Sequence, residues 1–193
     1  MSTRRPSAKS PQCDEQNSEP SVLVRKFGSL LANFARDRDK PILDVACGAG
    51  RNAFFLSQLG GTVICIDRDL TGLKSATRFR NGTESELQGS LKMCQLDLAA
   101  ETWPFGESSV GGIVNVHFFL PSLFSHFCRS LSAGGYLIFE SVPGHGGNYL
   151  ELPTSGYVLS LLTNCFEIEF YKERTAGPLV MNRAVTKVVA KRR

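Results

Sequence analysis

A glycine turn preceded by an acidic residue is the segment whose residue types and spacing best suit chemistry. The run Asp44-Val-Ala-Cys-Gly48-Ala-Gly50-Arg-Asn52 joins an apolar, strand-like stretch to a helical pattern. Gly48 and Gly50 remove side chains where a ligand would approach the backbone, and the helix behind them offers unpaired N–H groups to an anion. The same spacing fits the dinucleotide fingerprint G-x-G-x-x-G/A, so the glycines alone leave a nicotinamide dinucleotide open as the ligand.

Three acidic residues narrow the choice of ligand. Asp67 ends the second predicted strand, where a carboxylate can bind the ribose hydroxyls of an adenine nucleoside. Asp44 lies four residues before the first glycine, where a negative charge helps no phosphate but does favour a ligand that carries an ammonium group. Asp97 ends the third predicted strand and can accept a hydrogen bond from the exocyclic amine of adenine. Each could singly be a cap or turn residue, but together at the carboxyl ends of parallel strands they predict a nucleoside site.

Alternating strand and helix patterns supply the elements that would position these residues. Apolar and β-branched runs predict strands over residues 41–46, 62–66, 91–96, 110–116, 136–142, 166–171 and 184–190. Helical spacing predicts helices over residues 24–36, 51–59, 121–133 and 154–162, and a further helix capped by Asp69. The turn at Gly177-Pro178 is too short for a crossover helix, so the last two strands must be antiparallel. The sequence predicts an α/β three-layer sandwich with a seven-stranded, mainly parallel Rossmann-like sheet and an antiparallel last strand.

Composition sets the domain boundary and disfavours several classes of protein. Residues 1–20 are rich in Ser, Pro, Gln and charge without an apolar period, which predicts a disordered tail ahead of one domain over residues 21–193. No apolar run approaches the roughly 20 residues of a membrane helix, and no apolar stretch typical of a secretory signal follows the first arginines. The net charge of +4 comes without a dense Lys/Arg stripe, which disfavours a nucleic-acid partner. We expect a cytoplasmic protein; its oligomeric state is not indicated.

The cysteines predict free thiols rather than a bonded framework. Six are present, and no C-x-x-C spacing occurs. Cys47, Cys65 and Cys94 lie in or beside strand-like runs, and Cys128 and Cys165 have mostly apolar neighbours. Buried thiols in a reducing cytoplasm fit this pattern better than a metal site or disulfides.

Taken together, these motifs resemble class I S-adenosylmethionine-dependent methyltransferases. The resemblance extends from about Val22 to Lys191. Residues 43–50 are similar to the family's motif I, and Ile66-Asp67 is similar to its ribose-binding motif. Leu96-Asp97-Leu98 is similar to its adenine-binding motif, and residues 131–138 are similar to its motif at strand five. Gly50-Arg51-Asn52 resembles the small tellurite-resistance branch, although Gly111-Gly112 stands where the family usually has an aromatic-Asp pair.

The resemblance implies a cofactor, a reaction and a set of binding residues. The cofactor would be S-adenosylmethionine, and its methyl group would pass by in-line displacement to a small-molecule acceptor, with a soft or small nucleophile favoured. The cofactor-binding residues would be Asp44, Ala46, Gly48, Gly50, Arg51, Asn52, Asp67, Arg68, Asp97, Leu98 and Asn115. An NAD(P)-binding oxidoreductase, a nucleic-acid methyltransferase and a non-catalytic S-adenosylmethionine-binding protein remain alternatives; the oxidoreductase gives no role to Asp44 or Asp97.

Candidates for a general base come from the ends of the fourth and fifth predicted strands. Glu140 ends an otherwise apolar strand, where burial is unfavourable unless the carboxylate faces the cleft or forms an ion pair. We favour the cleft. His117 ends the fourth strand and is the second candidate. The glycine-containing loop over residues 145–149 is either a hinged lid or a plain surface loop.

Overall fold

The computed structural model describes residues 19–81, 89–143 and 149–193, with only the backbone at 79–81. The predicted tail therefore lies outside the described residues except for Glu19 and Pro20, and the predicted lid does so except for Tyr149. The helices are α1 (Val22–Asp37), α2 (Arg51–Gln58), α3 (Thr71–Asn81), α4 (Leu123–Ser130) and α5 (Tyr157–Leu162). The strands are β1 (Ile42–Val45), β2 (Thr62–Asp67), β3 (Ser90–Gln95), β4 (Val110–Val116), β5 (Leu131–Glu140), β6 (Phe166–Ala176) and β7 (Arg183–Arg192).

One sheet of seven strands organises the described residues and confirms the predicted fold class. Its strand order is β3-β2-β1-β4-β5-β7-β6. The pairs among β1 to β5 are parallel, while β7 runs antiparallel to both of its neighbours. One buried cluster packs α1, α2 and α3 against one face of the sheet, and a second packs α4 and α5 against the other. None of the helices in the described ranges is long and apolar enough to cross a membrane.

The pair Gly111-Gly112 lets α1 pack directly on β4. Ser21 caps helix α1 just before Val22, and its side-chain oxygen accepts a hydrogen bond from the amide of Val24. A Cβ atom on Gly111 would lie 2.6 Å from the Cα atom of Ala35, and one on Gly112 would lie 2.5 Å from the side chain of Leu31. Both contacts are too close for a Cβ atom at either position, so the glycine pair has a packing reason.

The boundary between α4 and β5 differs from the prediction. Gly134-Gly135 was expected to end the helix, but α4 ends at Ser130 and both glycines lie inside β5. Gly134 has a φ of +84°, and a Cβ atom on Gly135 would lie 2.7 Å from the carbonyl oxygen of Gly111. The glycines therefore allow an irregularity in the strand and a close approach to β4.

Two of the cysteines correct the prediction of free thiols. Cys128 in α4 and Cys165 just before β6 form a disulfide, with their Cα atoms 5.9 Å apart. The guanidinium group of Arg192 donates hydrogen bonds to the carbonyl oxygens of both cysteines. Cys47 and Cys65 are buried free thiols, as predicted. Spacing could not reveal the pair because its partners are separated by 37 positions and meet only when α4 packs beside the start of β6.

Candidate functional site

The glycine turn lies at the carboxyl end of β1 and opens toward solvent at Gly48. Ala46 and Gly48 have φ angles of +56° and +55°, so the chain turns sharply as the strand ends. The amide of Gly48 donates a 2.9 Å hydrogen bond to Oδ2 of Asp67 at the end of β2. A Cβ atom on Gly48 would meet no described atom within 4 Å. The backbone is therefore accessible to a ligand here, as predicted.

Gly50 has a different role from the one expected. It is buried and has a φ of +80°, and its amide donates to the carbonyl of Cys47 at 2.9 Å. A Cβ atom there would lie 2.4 Å from the side chain of Leu73 in α3. The space left by the missing side chain is thus filled by α3 and not by a ligand, and a cofactor contact for Gly50 stays a prediction.

Two adjoining cavities lie along the carboxyl ends of the parallel strands. The larger, about 460 Å³, is lined by Ala46, Asp67, Arg68, Leu96, Asp97, Leu98, Ala99, Val116, His117, Phe118 and Glu151. The smaller, about 200 Å³, is lined by Ala46, Cys47, Gly48, Ala49, Arg51, Asn52, Val116 and His117. Ala46, Val116 and His117 belong to both linings, so the cavities meet at the ends of β1 and β4. Most of the predicted cofactor residues are brought together here.

Asp67 and Asp97 line the larger cavity and also hold turns. Oδ1 of Asp67 accepts a hydrogen bond from the amide of Asp69 at 3.1 Å, and Oδ1 of Asp97 accepts one from the amide of Ala99 at 3.0 Å. An ionised carboxylate has about four acceptor positions, so each retains capacity for a ligand hydroxyl or amine. The turn and ligand interpretations are therefore compatible.

Asp44 lies beneath the glycine turn, out of contact with solvent. It is 1 % exposed, and its Oδ2 has no hydrogen-bond partner among the described residues. Burial raises the pKa of Asp44 from 3.8 to about 7, and the nearby charge of Asp67 adds to this increase; the backbone N–H of Ala53 and the Arg51 guanidinium oppose it. A buried carboxyl with an unpaired oxygen calls for a donor or a cation.

Arg51, a predicted cofactor residue, contacts His117, a candidate base. A terminal guanidinium nitrogen of Arg51 lies 3.3 Å from Nε2 of His117. The amide of His117 donates a 2.8 Å hydrogen bond to the carbonyl of Glu140, and its φ of +71° is unusual for a residue other than glycine. Both side chains line the smaller cavity, one from the start of α2 and one from the end of β4.

Asn52 and Asn115 are both buried but differ in their partners. Oδ1 of Asn52 accepts a 2.9 Å hydrogen bond from the amide of Ser21, which ties α2 to the start of α1. Asn52 also lines the smaller cavity. Asn115 is 1 % exposed and lines neither cavity, and its Nδ2 is without a partner in the described part of the chain. A cofactor contact for Asn115 stays a prediction.

Glu140 does not face the cleft, as the sequence favoured, but forms a buried ion pair. Its carboxylate contacts Nζ of Lys187, which lies opposite it on β7. Its side chain is 6 % exposed, it lines neither cavity, and its Oε2 has no described partner. The structure therefore supports a structural role, which leaves His117 as the candidate base at the cavities.

Several cavity residues were missed by the motifs. Phe118 follows the end of β4, and Glu151 lies in a short 3-10 helix, Tyr149–Glu151, far from the glycine turn in sequence. Phe118 could have been found because it lies two residues after the end of a predicted strand. Glu151 has no comparable signal, because only the tertiary structure brings this segment over the carboxyl end of the sheet.

Comparison with known proteins shows which family model and which solved structures this chain resembles. A family model described as a methyltransferase domain matches residues 42–135. No curated protein matches the sequence significantly. Similar solved structures include TehB from Haemophilus influenzae, with a TM-score of 0.59, 16 % identity and coverage of 89 % of this chain and 66 % of TehB. This chain therefore spans just under two thirds of TehB.

Two further similar structures differ in the acceptors that they are named for. Geranyl diphosphate C-methyltransferase from Streptomyces coelicolor A3(2), solved with S-adenosyl-L-homocysteine, has a TM-score of 0.60 and 13 % identity, with coverage of 88 % of this chain and 82 % of that one. The tRNA (m1A58) methyltransferase TrmI from Aquifex aeolicus has a TM-score of 0.58 and 15 % identity, with coverage of 92 % and 71 %. Identities this low show the fold and not the acceptor. Residues 42–135, just under half of the chain, therefore match the model of a methyltransferase-domain family, and the chain shares the fold of these methyltransferase structures.

Proposed function

We propose that this protein binds S-adenosylmethionine and transfers its methyl group to a small-molecule acceptor. The observation that carries the proposal is the arrangement of three carboxylates, Asp44, Asp67 and Asp97, around the glycine turn and the larger cavity. Two of them line that cavity, and the third lies buried beneath the turn. A nucleoside joined to an ammonium-bearing amino acid suits this arrangement of charge.

The environment of Asp44 suits the amino-acid end of the cofactor. Its buried Oδ2 has no described partner, and burial raises its pKa to about 7. An ammonium group close by would supply the missing donor and stabilise the ionised carboxylate. A dinucleotide phosphate would instead meet a negative charge beneath the turn, so this residue favours S-adenosylmethionine over NAD(P).

The larger cavity suits the adenosine end. Its volume of about 460 Å³ lies in the range typical of small-molecule sites, roughly 300–1,000 Å³. Asp67 would accept hydrogen bonds from ribose hydroxyls, and Asp97 would accept one from the adenine amine, with Leu98 and Phe118 as apolar walls. Arg68 and Ala46, which the sequence also predicts to bind the cofactor, line the same cavity.

The residues of this chain would act mainly by binding and orientation. When bound, S-adenosylmethionine would supply a methyl group whose carbon an acceptor atom can attack in line with the carbon–sulfur bond, with the thioether as leaving group. Positioning of the acceptor is therefore the main requirement. His117 lies where the cavities meet and can take a proton from a hydroxyl or ammonium acceptor. A soft nucleophile such as a thiolate would not need this base.

The proposal includes a small-molecule acceptor and a cytoplasmic location. The modest net charge of +4 supports a small acceptor over nucleic acid. The alternative, a nucleic-acid methyltransferase, is tested by including RNA in an acceptor panel with thiols, metalloid oxyanions, phenols and amines. Release of S-adenosylhomocysteine reports methyl transfer in every case.

Calorimetry with four ligands tests the cofactor assignment. S-adenosylmethionine and S-adenosylhomocysteine should bind and raise the melting temperature, while NAD and NADP should do neither. Asp67→Ala should reduce the binding of both S-adenosyl compounds, whereas Arg25→Gln, a change outside both cavities, should not. Binding of NAD without binding of S-adenosylhomocysteine contradicts the proposal.

A further inference from the structure

The contact between Arg51 and His117 determines where the imidazole carries its proton. A guanidinium group has only donor hydrogens, so Nε2 of His117, 3.3 Å away, must be the acceptor. The ring is then neutral, with its proton on Nδ1. An imidazolium at this position would face the guanidinium with a second positive charge.

The backbone keeps His117 in place at the meeting point of the cavities. Its amide is bonded to the carbonyl of Glu140 at 2.8 Å, and its φ of +71° directs it away from the regular course of β4. It is exposed and lines both cavities. In this structure Nε2 contacts the guanidinium group of Arg51.

Arg51 is at the same time a cation at the amino-acid end of the proposed cofactor site. It lines the smaller cavity beside Gly48, and its charge counteracts the effect of burial on Asp44. A carboxylate entering this cavity would be a stronger partner for a guanidinium than a neutral imidazole, since it carries the opposite charge and can accept two parallel hydrogen bonds. The cofactor's own carboxylate is such a group.

We propose that Arg51 is a positioning residue that exchanges its hydrogen bond to His117 for one to the cofactor carboxylate, and thereby frees Nε2 to act as a base. The proposal rests on the proposed function. The proton on the acceptor atom then moves to Nε2 as that atom bonds to the methyl carbon and the carbon–sulfur bond breaks, with its electron pair remaining on sulfur. The imidazolium that forms is tolerated because the carboxylate now neutralises Arg51, and it returns its proton to solvent.

Nitrogen NMR of the imidazole rings tests the exchange without any acceptor. The sequence has three histidines, and His126, stacked on Trp103 at 5.7 Å, provides an internal control. Spectra of His117→Gln and His126→Gln assign the resonances. The probes are S-adenosylhomocysteine, which has the carboxylate, and 5′-methylthioadenosine, which has the nucleoside but no amino acid; calorimetry first establishes that each is bound.

The expected result differs between the two probes. S-adenosylhomocysteine should shift the Nε2 resonance of His117 in the direction expected for loss of the Arg51 donor, while 5′-methylthioadenosine should leave it unchanged. The His126 resonances should not move with either. If S-adenosylhomocysteine binds and the His117 resonance stays in place, or if both probes shift it equally, the exchange does not occur.

Variants of Arg51 separate this proposal from the proposed function. Arg51→Gln should weaken S-adenosylhomocysteine roughly tenfold, by loss of a hydrogen bond to a charged group, and leave 5′-methylthioadenosine affinity unchanged. Its His117 resonance without ligand should already match that of the saturated wild type. Equal weakening of both probes overturns the proposal while leaving the function intact. Failure of the wild type to bind either probe overturns the function itself.

Discussion

The amide of Gly48 donates a 2.9 Å hydrogen bond to Oδ2 of Asp67. This bond connects the glycine turn after β1 to the end of β2, so two motifs that the sequence presents separately form one structural unit. The other oxygen of Asp67 accepts the amide of Asp69, which leads into α3. Asp67 is thus expected both to shape the turn and to bind ribose.

Replacing Asp67 should therefore affect binding and stability together. Asp67→Ala should weaken S-adenosylhomocysteine at least tenfold, because two charge-assisted hydrogen bonds to ribose are lost. It should also lower the free energy of unfolding by about 1 kcal/mol, since two backbone amides lose their acceptor at a half-exposed position. Calorimetry and chemical denaturation measure the two effects. Unchanged affinity in Asp67→Ala would remove this residue from the cofactor site.

Asp44 should make cofactor binding depend on pH around neutrality. Burial raises its pKa to about 7 in the folded protein, so its contribution to stability is complete below about pH 4 and is lost as the pH rises through 7. A bound ammonium group favours the ionised carboxyl, so affinity for S-adenosylhomocysteine should increase between about pH 6 and 8.

Asp44→Asn serves as the control for this pH dependence. Its affinity should be lower at pH 8 and nearly constant from pH 6 to 8, because the titrating group is gone. Calorimetry at pH 7 in two buffers of different ionisation enthalpy should detect proton release on binding to the wild type only. Equal proton release by the variant contradicts the assignment to Asp44.

The ion pair between Glu140 and Lys187 should contribute to stability rather than to cofactor binding. Glu140→Gln should lower the free energy of unfolding by about 1–3 kcal/mol, less than for a fully buried pair because the side chain of Lys187 is 31 % exposed. Affinity for S-adenosylhomocysteine should not change. Lys187→Gln and the double variant complete a double-mutant cycle, and a coupling energy near zero would show that the pair does not stabilise the fold.

Glu173 should stabilise the packing of α5 against β6 in a pH-dependent way. Its carboxylate accepts hydrogen bonds from the hydroxyls of Ser155, Tyr171 and Thr186 and from the amide of Gly156. Burial tends to raise its pKa, but these hydrogen bonds together hold the pKa below the usual value. Its contribution is therefore present above the unfolded-state pKa and is lost as the pH falls through the folded-state value.

Thermal unfolding of Glu173→Gln measures this contribution. The melting temperature should fall by several degrees at pH 7, and the difference from the wild type should shrink as the pH falls through the lowered pKa of Glu173, below which both side chains are neutral. Glu169→Gln, on the same strand, is a matched control. A difference that does not vary with pH would mean that the charge of Glu173 is not involved.

The disulfide between Cys128 and Cys165 should be a major stabilising element. Cys165→Ser should lower the free energy of unfolding by roughly 3–4 kcal/mol, since the bridge closes a loop over 37 positions. Cys94→Ser should have a much smaller effect. Because disulfides are rare in a reducing cytoplasm, alkylation and mass spectrometry of the native protein also test the predicted location. Reduced cysteines in freshly isolated protein would exclude the bridge in the cell.

Local residue patterns were enough to predict the elements and the main carboxylates of the site. The β-branched run at Val110–Val116 forms β4 with the predicted boundaries, and Asp69 accepts the amide of Thr71 at the start of α3. Asp67 and Asp97 lie at the ends of neighbouring parallel strands, as predicted. These features depend on side-chain period, capping and strand direction, all of which a short window of sequence contains.

Contacts between distant segments were decided only by the tertiary structure. Glu140 is buried with Lys187 because antiparallel register brings residues 47 positions apart face to face. Arg51 reaches His117 because β1 and β4 are neighbours in the sheet although β2 and β3 intervene in sequence. A carboxylate or an imidazole has the same local signature whether its partner is solvent, a ligand or a distant side chain. Its environment depends on packing and register, which are properties of the whole sheet rather than of the residues around it.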